Sequence, residues 1–139
     1  MREIHIDYRE DRDIPLASIL ALYRASEWSS ADKPDALHAG LQNSHSLITA
    51  WHGDKLVGLG NAISDGFLVV YYPHLIVAAE YRKCGIGRAI MKTMIERYAD
   101  FHQQILVADG EATDFYEKCG FETAGGTKSM WIYDGHDHD

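Results

Sequence analysis

Cysteine and proline are scarce in this chain of 139 residues, which contains two cysteines and three prolines. Cys84 and Cys119 are far apart, and neither belongs to a CxxC pair. This spacing argues against a disulfide framework and against a structural zinc site. Because little cysteine fits a reducing compartment, we expect a cytoplasmic protein.

Long apolar runs are also missing. No stretch approaches the roughly 20 apolar residues that cross a bilayer. The first residues, MREIHIDYRED, are charged and do not contain the apolar segment of a signal peptide. We therefore expect no membrane partner.

Positive charge is in the minority, because 13 basic residues stand against 21 acidic ones and give a net charge of −8. Proteins that bind DNA or RNA usually have the opposite balance, so we expect no nucleic-acid partner. An acidic surface attracts cations, and amines are one class of substrate that would benefit.

The chain length predicts one domain, which we place at residues 1–134, followed by a polar, frayed tail at 135–139. Apolar alternation and turn residues predict strands, and apolar spacing of three to four predicts helices. Pro73 cannot donate a hydrogen bond to a sheet, so it predicts a break or bulge. The predicted strands cover 2–8, 46–52, 56–64, 67–78, 104–108, 121–124 and 128–133, and the predicted helices cover 15–25, 34–43, 85–99 and 112–118.

This order of elements predicts an α+β fold with a mixed sheet, because antiparallel hairpins precede a strand–helix–strand crossover. The helix at 85–99 should join two parallel strands. The predicted strand 104–108 has the apolar sequence QILVA and is expected to be buried.

Positive charge gathers at one place, the stretch RKCGIGR over residues 82–88. A helix N-terminus has unpaired N–H groups, and glycines let a ligand approach the backbone closely. Such a loop is a site for a phosphate anion. The stretch is neither a Walker A loop nor a GxGxxG fingerprint, since position 90 is isoleucine.

Arg82, Gly85 and Gly87 match the pattern Gln/Arg-x-x-Gly-x-Gly/Ala, between an apolar strand and an amphipathic helix. This pattern resembles the acyl-CoA-binding motif of the GNAT family of N-acetyltransferases. The later segment DFYEKCGF resembles the family's FYxxxGF motif. The segments LVGLGNAISDG, ILVADGEATDFYEKCGF and KSMWIY are further similar to its aralkylamine acetyltransferase-like branch.

The resemblance implies the GNAT fold, a mostly antiparallel twisted sheet with a splayed parallel strand pair and helices on both faces. It implies acetyl-CoA as co-substrate, bound between the strand that ends near Val77 and the strand 104–108. The pantetheine would pair with backbone near Ile76–Ala78, and the N–H group of Val77 or Ile76 would bind the thioester oxygen. The pyrophosphate would bind the backbone of Lys83, Cys84, Gly85, Ile86, Gly87 and Arg88, beside Arg82.

The resemblance also implies the catalytic groups. Tyr116 aligns with the family's catalytic tyrosine, whose phenol can protonate the departing thiolate. For the base, His74 and Asp109 remain equal alternatives, and each could instead be an ordinary hydrogen-bonded group at a strand end. Trp28 is the best aromatic candidate for the amine pocket. His136 and His138 in the tail have no defined metal geometry, so no metal is expected.

The sequence thus predicts direct transfer of acetyl from acetyl-CoA to a primary amine, more readily of a small molecule than of a protein. A non-catalytic acyl-CoA sensor or interaction module is the alternative from another class. Acetylation of aminoacyl-tRNA is disfavoured by the net charge of −8. Dimers are common in the family, so a homodimer is the assembly to test.

Overall fold

The computed structural model describes residues 4–137. A sheet of six strands is accompanied by four α-helices and three short 3₁₀ helices among these residues. The strands are β1 Asp7–Arg9, β2 Ser46–His52, β3 Lys55–Ser64, β4 Val69–Tyr71, β5 Leu75–Val77 and β6 Gln103–Ile105. The helices are α1 Leu16–Ala25, α2 Pro34–Gln42, α3 Ile86–Arg97 and α4 Thr113–Cys119, and the 3₁₀ helices are Ser29–Asp32, Ala79–Tyr81 and Gly110–Ala112.

The predicted hairpin is confirmed, because β2 and β3 pair antiparallel across a turn in which Gly53 has a φ of +59°. β1 adds to the other edge of β2. The sheet order β1-β2-β3-β4-β6 makes β3 a central strand, and β5 pairs with β3 further along its length. The α+β prediction with a mostly antiparallel sheet is therefore confirmed.

β4 and β5 run in the same direction and pair with different parts of β3. Ile63 lies opposite Tyr71, and Gly60 lies opposite Leu75. Two residues of β3 therefore face the three residues 72–74, which is a β-bulge. The irregularity predicted from Pro73 is confirmed, and it divides one long strand into two parts that diverge.

Of these two parts, only β4 pairs with β6. These two strands are parallel, and the last hydrogen bond between them runs from the Tyr72 N–H to the Ile105 oxygen at 3.0 Å. β5 has no strand partner on that side among the described residues. The pairing of the parallel strands therefore stops at Tyr72, and no hydrogen bond joins β5 to residues 106–108, as the predicted splayed pair requires. We call the space between these two segments the gap.

α3 lies close against the central strand because β3 has glycines where the helix crosses it. A Cβ on Gly60 would come 2.7 Å from the Cγ2 atom of Ile90, and one on Gly58 would come 3.0 Å from the Cγ2 atom of Ile86. Leu59 points to the opposite face and is fully buried. Both faces of the sheet are therefore covered, and the two glycines allow the short distance between α3 and β3.

Gln104 ties the end of α3 to the sheet. Its amide donates to the backbone oxygens of Ile95 and Tyr98, and its side-chain oxygen accepts a hydrogen bond of 2.7 Å from the Tyr72 hydroxyl. Arg12 holds the end of α2 in a similar way, because its guanidinium donates to the backbone oxygens of Gln42, Ser44 and His45.

Several predictions about strands were wrong. β1 begins at Asp7 rather than at residue 2, and residues 1–3 lie outside the described part of the chain. The strand predicted at 104–108 is β6, which begins one residue earlier, at Gln103, and ends three residues earlier, at Ile105. The predicted segment is not buried, since Ile105 and Val107 are exposed. The reason is its position at the edge of the sheet, where one side has no neighbour.

The two strands predicted at 121–124 and 128–133 are absent, since both segments are irregular chain. Met130 and Ile132 are almost fully exposed, so the apolar alternation of KSMWIY has no sheet neighbour among the described residues. Alternation predicts a strand only when an edge is there to pair with it. No described helix is long and apolar enough to span a membrane.

The tail was expected to be frayed, but its described residues make contacts. Asp137 accepts hydrogen bonds from the Ser29 backbone N–H at 3.0 Å and from the Ser29 hydroxyl at 3.0 Å. Asp134 forms an ion pair of 2.6 Å with Lys33. Residues 134 and 137 therefore contact the 3₁₀ helix that follows α1 and the residue after it, while His138 lies outside the described residues.

Candidate active site

The loop before α3 presents a row of unpaired backbone N–H groups. The first backbone bond into α3 runs from Ala89 N–H to the Gly85 oxygen at 3.0 Å, and no described group accepts from the N–H groups of residues 83–88. Gly85 is the N-cap residue, and no side chain caps the helix. Because these donors coincide with the positive end of the helix dipole, the loop has the features that an anion site requires.

Two left-handed residues shape this loop. Lys83 has a φ of +67° and Gly85 a φ of +80°. Alternation of left-handed and ordinary residues turns successive N–H groups toward one concave side. Glycine adopts this conformation freely, whereas for Lys83 it is strained, a condition that tends to occur at binding sites.

The side chains of the loop differ in their exposure. Arg82, Lys83, Cys84 and Arg88 are exposed, Ile86 is buried, and Gly87 packs against α4. A Cβ on Gly87 would meet the Phe115 ring at 3.3 Å, whereas a Cβ on Gly85 would meet nothing within 4 Å. Gly87 therefore serves packing, and open space lies in front of Gly85.

Backbone groups of β5 line the gap, and their direction follows from the pairing with β3. The Ala78 N–H donates to Val57, and the His74 oxygen accepts from Asn61. Since antiparallel residues alternate in direction, the polar groups of residues 74, 76 and 78 point toward β3. Those of Leu75 and Val77 point into the gap. Of the two N–H groups considered for the thioester oxygen, Val77 fits and Ile76 does not.

Tyr116 lies on α4, at the side of the gap that belongs to β6. Its ring is edge-on to Phe115 and Phe121, at centroid distances of 5.1 Å and 6.0 Å. Burial raises the pKa of Tyr116 to about 12, with smaller contributions from the charges of Cys119 and Asp109. The phenol is therefore protonated at neutral pH and is able to donate a proton.

His74 occupies the bulge at the other side of the gap. Its Nδ1 atom lies 2.8 Å from the Tyr23 hydroxyl, and its backbone N–H donates to the Asn61 side chain at 3.0 Å. The Trp28 ring meets it edge-on at 5.4 Å. Burial lowers the pKa of His74 to about 4, against an opposing effect of the Asp137 charge, so the imidazole is neutral at pH 7.

Asp109, the other candidate base, is exposed and precedes the 3₁₀ helix that leads into α4. Its backbone oxygen accepts from the Ala112 N–H at 2.8 Å, which holds the turn. Its charge raises the pKa of Tyr116, so the two groups are electrostatically coupled. The sequence-predicted residues thus form two groups, with Tyr116 and Asp109 on one side of the gap and His74 on the other.

Sequence reasoning missed two members of this arrangement. Tyr23 lies within the helix predicted at 15–25 and was not singled out, yet it is the hydrogen-bond partner of His74. Asp137 was assigned to a frayed tail, yet its charge acts on His74. No sequence pattern indicates either contact, because 51 and 63 positions separate these residues from His74.

The residues fit acetyl-CoA in three respects. The loop 83–88 supplies unpaired donors for a pyrophosphate. The polar groups of Leu75 and Val77 supply donors and acceptors for amide groups, and the Tyr116 phenol stands beyond them with its proton in place. No cluster of three metal-ligating side chains occurs within residues 4–137.

Comparison with known proteins identifies the family. A family model described as an acetyltransferase (GNAT) domain matches residues 10–130. A chloroplastic GCN5-related N-acetyltransferase of Arabidopsis thaliana is 29% identical over 107 residues, which cover 70% of this chain and 42% of that protein. The chain spans about half the length of the curated relatives it matches.

Solved structures share the fold over nearly their whole length. A GNAT family acetyltransferase from Streptococcus pneumoniae has a TM-score of 0.80 and 30% identity, with 94% of this chain and 99% of that chain covered. An aminoglycoside N-acetyltransferase in complex with CoA has a TM-score of 0.69 and 17% identity, with 95% of each chain covered. The aralkylamine branch stays a prediction from the sequence.

The family model covers residues 10–130, which is most of the chain. The chain therefore belongs to the GNAT acetyltransferase family.

Proposed function

We propose that the chain transfers acetyl from acetyl-CoA to the primary amine of a small molecule, by direct transfer in a ternary complex. The observation that carries this proposal is the row of unpaired N–H groups at residues 83–88, which opens onto the gap beside β5. Acetyl-CoA supplies the acetyl group as an activated thioester.

In this proposal the loop holds the pyrophosphate through backbone donors, and Arg82, Lys83 and Arg88 add charge at its rim. The polar groups of Leu75 and Val77 pair with the amides of the pantetheine. The Val77 N–H donates to the thioester oxygen, where negative charge grows as the amine attacks.

The reaction needs one group that gives a proton to the leaving sulfur and one that takes a proton from the amine nitrogen. The amine nitrogen forms a bond to the carbonyl carbon, the carbon–sulfur bond breaks, and the leaving sulfur takes a proton from the Tyr116 phenol. The proton lost by nitrogen passes to Asp109 or to water, and the phenolate of Tyr116 is then reprotonated from solvent. His74 is a poor base for this step, because burial lowers its pKa to about 4.

A small acceptor is favoured by the surroundings of His74. Asp137 lies near this side, since it is hydrogen-bonded to Ser29, the neighbour of Trp28. An aromatic ring next to a carboxylate suits a small organic cation. Acetylation of a protein amine is the second candidate, and it would require the segment at Asp137 to move aside.

The test is a CoA-release assay with acetyl-CoA over a panel of amines, from small aralkylamines and aminoglycosides to lysine peptides. Release that depends on a small amine supports the proposal, and release with peptides alone would replace the acceptor class. Tight binding of acetyl-CoA without turnover on any amine would favour the sensor.

The double variant Arg82→Ala/Gly85→Val provides a separate test of the anion site. We expect a clearly weaker affinity for acetyl-CoA in calorimetry. An unchanged affinity would remove the assignment of the loop. The cytoplasmic location and the homodimer expected from the sequence stay predictions.

A further inference from the structure

The hydrogen bond between Tyr23 and His74 determines which nitrogen of the imidazole carries hydrogen. The Tyr23 side chain is fully buried, and its hydroxyl has His74 Nδ1 as its one hydrogen-bond partner among the described residues. Burial raises the pKa of Tyr23 strongly, so the phenol keeps its proton. Its O–H must therefore find an acceptor within the protein.

Only one arrangement satisfies this buried hydroxyl. If Nδ1 carried hydrogen, it would donate to the phenol oxygen, and the O–H of Tyr23 would point at no acceptor. If Tyr23 donates to Nδ1, both groups are satisfied, and the imidazole hydrogen must be on Nε2. A buried unpaired donor is costly, so the second arrangement is favoured.

Nε2 is the side of the ring that stays available. It makes no hydrogen bond with any described residue, and no buried polar atom in the described structure lacks a partner, so Nε2 must be accessible. Trp28 stands edge-on to the same ring at 5.4 Å. The ring therefore offers an N–H group, beside the Trp28 ring, that no described residue of the protein uses.

The charged and titratable groups around the ring agree with a neutral imidazole. α1 contributes the neutral phenol of Tyr23, β3 contributes the uncharged Asn61, and the segment after Tyr133 contributes the carboxylate of Asp137. The carboxylate raises the pKa of His74, but burial outweighs it. Asp137 is itself occupied by Ser29 and Tyr133.

We propose that His74 serves the acceptor site as a neutral hydrogen-bond donor, held in its Nε2–H form by Tyr23, and that it binds an oxygen atom of the acceptor amine. The acceptor is then an amine that carries a hydroxyl or carbonyl group. Tyr23 acts as a positioning residue, because it reaches the substrate only through His74. This assignment rests on the proposed acetyl transfer and narrows its substrate class.

The first experiment measures the tautomer without turnover. Long-range ¹H–¹⁵N correlation spectra of the full chain, recorded between pH 6 and 8 and assigned with His74→Gln, report which nitrogen is protonated. We expect hydrogen on Nε2 and a constant signal over this range. Hydrogen on Nδ1, or a titration near pH 6.5, would overturn the proposal. In Tyr23→Phe we expect the constraint to disappear and the Nδ1–H form to become populated.

The second experiment separates a donor from a base. Glutamine keeps an N–H group at a reach similar to Nε2 but cannot act as a base, whereas phenylalanine keeps only the ring. We expect His74→Gln to retain kcat/KM within a few-fold on hydroxylated amines, and His74→Phe to lose about tenfold or more. On matched amines without an oxygen, the two variants should be equal.

The remaining outcomes are also decisive. Equal, severe losses in His74→Gln and His74→Phe would identify a base, and unchanged kcat/KM in both would show that the residue does not contact the acceptor. Either result overturns the donor role. If the wild-type chain acetylates no amine, the proposed function fails, while the spectra still establish the state of His74.

Discussion

Gly85 allows the geometry of the anion loop to be tested separately for stability and for binding. It has a φ of +80° at the N-cap of α3, and a Cβ added there would meet nothing within 4 Å. Gly85→Ala should therefore cost backbone strain alone in the free protein. Any effect on a ligand arises because the methyl group enters the open space where the phosphate is expected.

The size of the stability effect follows from the backbone. A left-handed non-glycine residue costs about 1–2 kcal/mol, and alanine returns up to about 1 kcal/mol by restricting the unfolded chain. We expect a net loss of about 1 kcal/mol. For 139 residues the unfolding entropy is about 0.3 kcal/mol per kelvin, so the melting temperature should fall by about 3–4 °C.

Two further variants complete the design. Gly85→Asn should lose less stability than Gly85→Ala, since asparagine tolerates the left-handed conformation, but it should weaken CoA binding at least as much. Gly53→Ala is the matched control. Gly53 has a φ of +59° with open space around it, and it lies in the hairpin turn between β2 and β3.

Urea unfolding measures the first quantity and calorimetric titration with CoA measures the second. We expect Gly53→Ala to lose stability like Gly85→Ala and to bind CoA normally. If Gly85→Ala were as stable as the wild type, the left-handed geometry of the loop would be wrong. If both Gly85 variants bound CoA with unchanged affinity, the anion site would lie elsewhere.

Three other predictions concern catalysis, packing and pH. Tyr116→Phe should lower kcat by about 10²–10³-fold with little change in CoA affinity, because it removes the proton donor and keeps the ring. Gly60→Ala should cost about 1–3 kcal/mol, since its Cβ would lie 2.7 Å from Ile90 Cγ2, and Gly60→Ala/Ile90→Ala should lose less than the sum of the single variants. His74 has a pKa of about 4 when folded, below its ordinary 6.5, so its contribution to stability is present above pH 6.5 and is lost as the pH falls toward 4.

The size of the pH effect on stability follows from the shifted pKa of His74, and His74→Gln is its control. The unfolded state takes up the proton first, and the difference of about 2.5 pH units corresponds to about 3 kcal/mol. Urea unfolding from pH 4 to 7 should show that the free energy of unfolding falls more steeply with decreasing pH in the wild type than in His74→Gln. Equal slopes would show that the imidazole is not buried in its neutral form.

The other two predictions are equally open to refutation. An unchanged kcat in Tyr116→Phe would exclude this phenol as the acid. Strict additivity of the Gly60 and Ile90 variants would mean that the two positions do not touch. The single variant Ile90→Ala supplies the reference for that comparison.

The sequence predicted the elements whose patterns are local. The hairpin of β2 and β3, the helix after RKCGIGR and the break at Pro73 depend on neighbouring residues, and each was found close to its predicted position. Gly58 and Gly60 also indicate a local contact, because a glycine inside a strand is typical of a place where another element packs closely against the backbone. They lie under α3.

What failed depends on distant contacts. The apolar runs 104–108 and 128–133 have the pattern of buried strands, but burial requires a neighbour that the pattern does not specify. The state of His74 depends on Tyr23, 51 positions earlier, and on the burial of both rings. The motif residues could thus be predicted, whereas their protonation could not.

The bulge at residues 72–74 leaves the free protein with an incomplete sheet. The amides of Leu75 and Val77 face a gap where another strand would normally pair with them. A bound pantetheine would take the place of that strand, so the ligand becomes part of the secondary structure. Amide hydrogen exchange at these two residues should therefore be fast in the free chain and slow in the complex, while the amide of Ile76, which faces β3, should be protected in both.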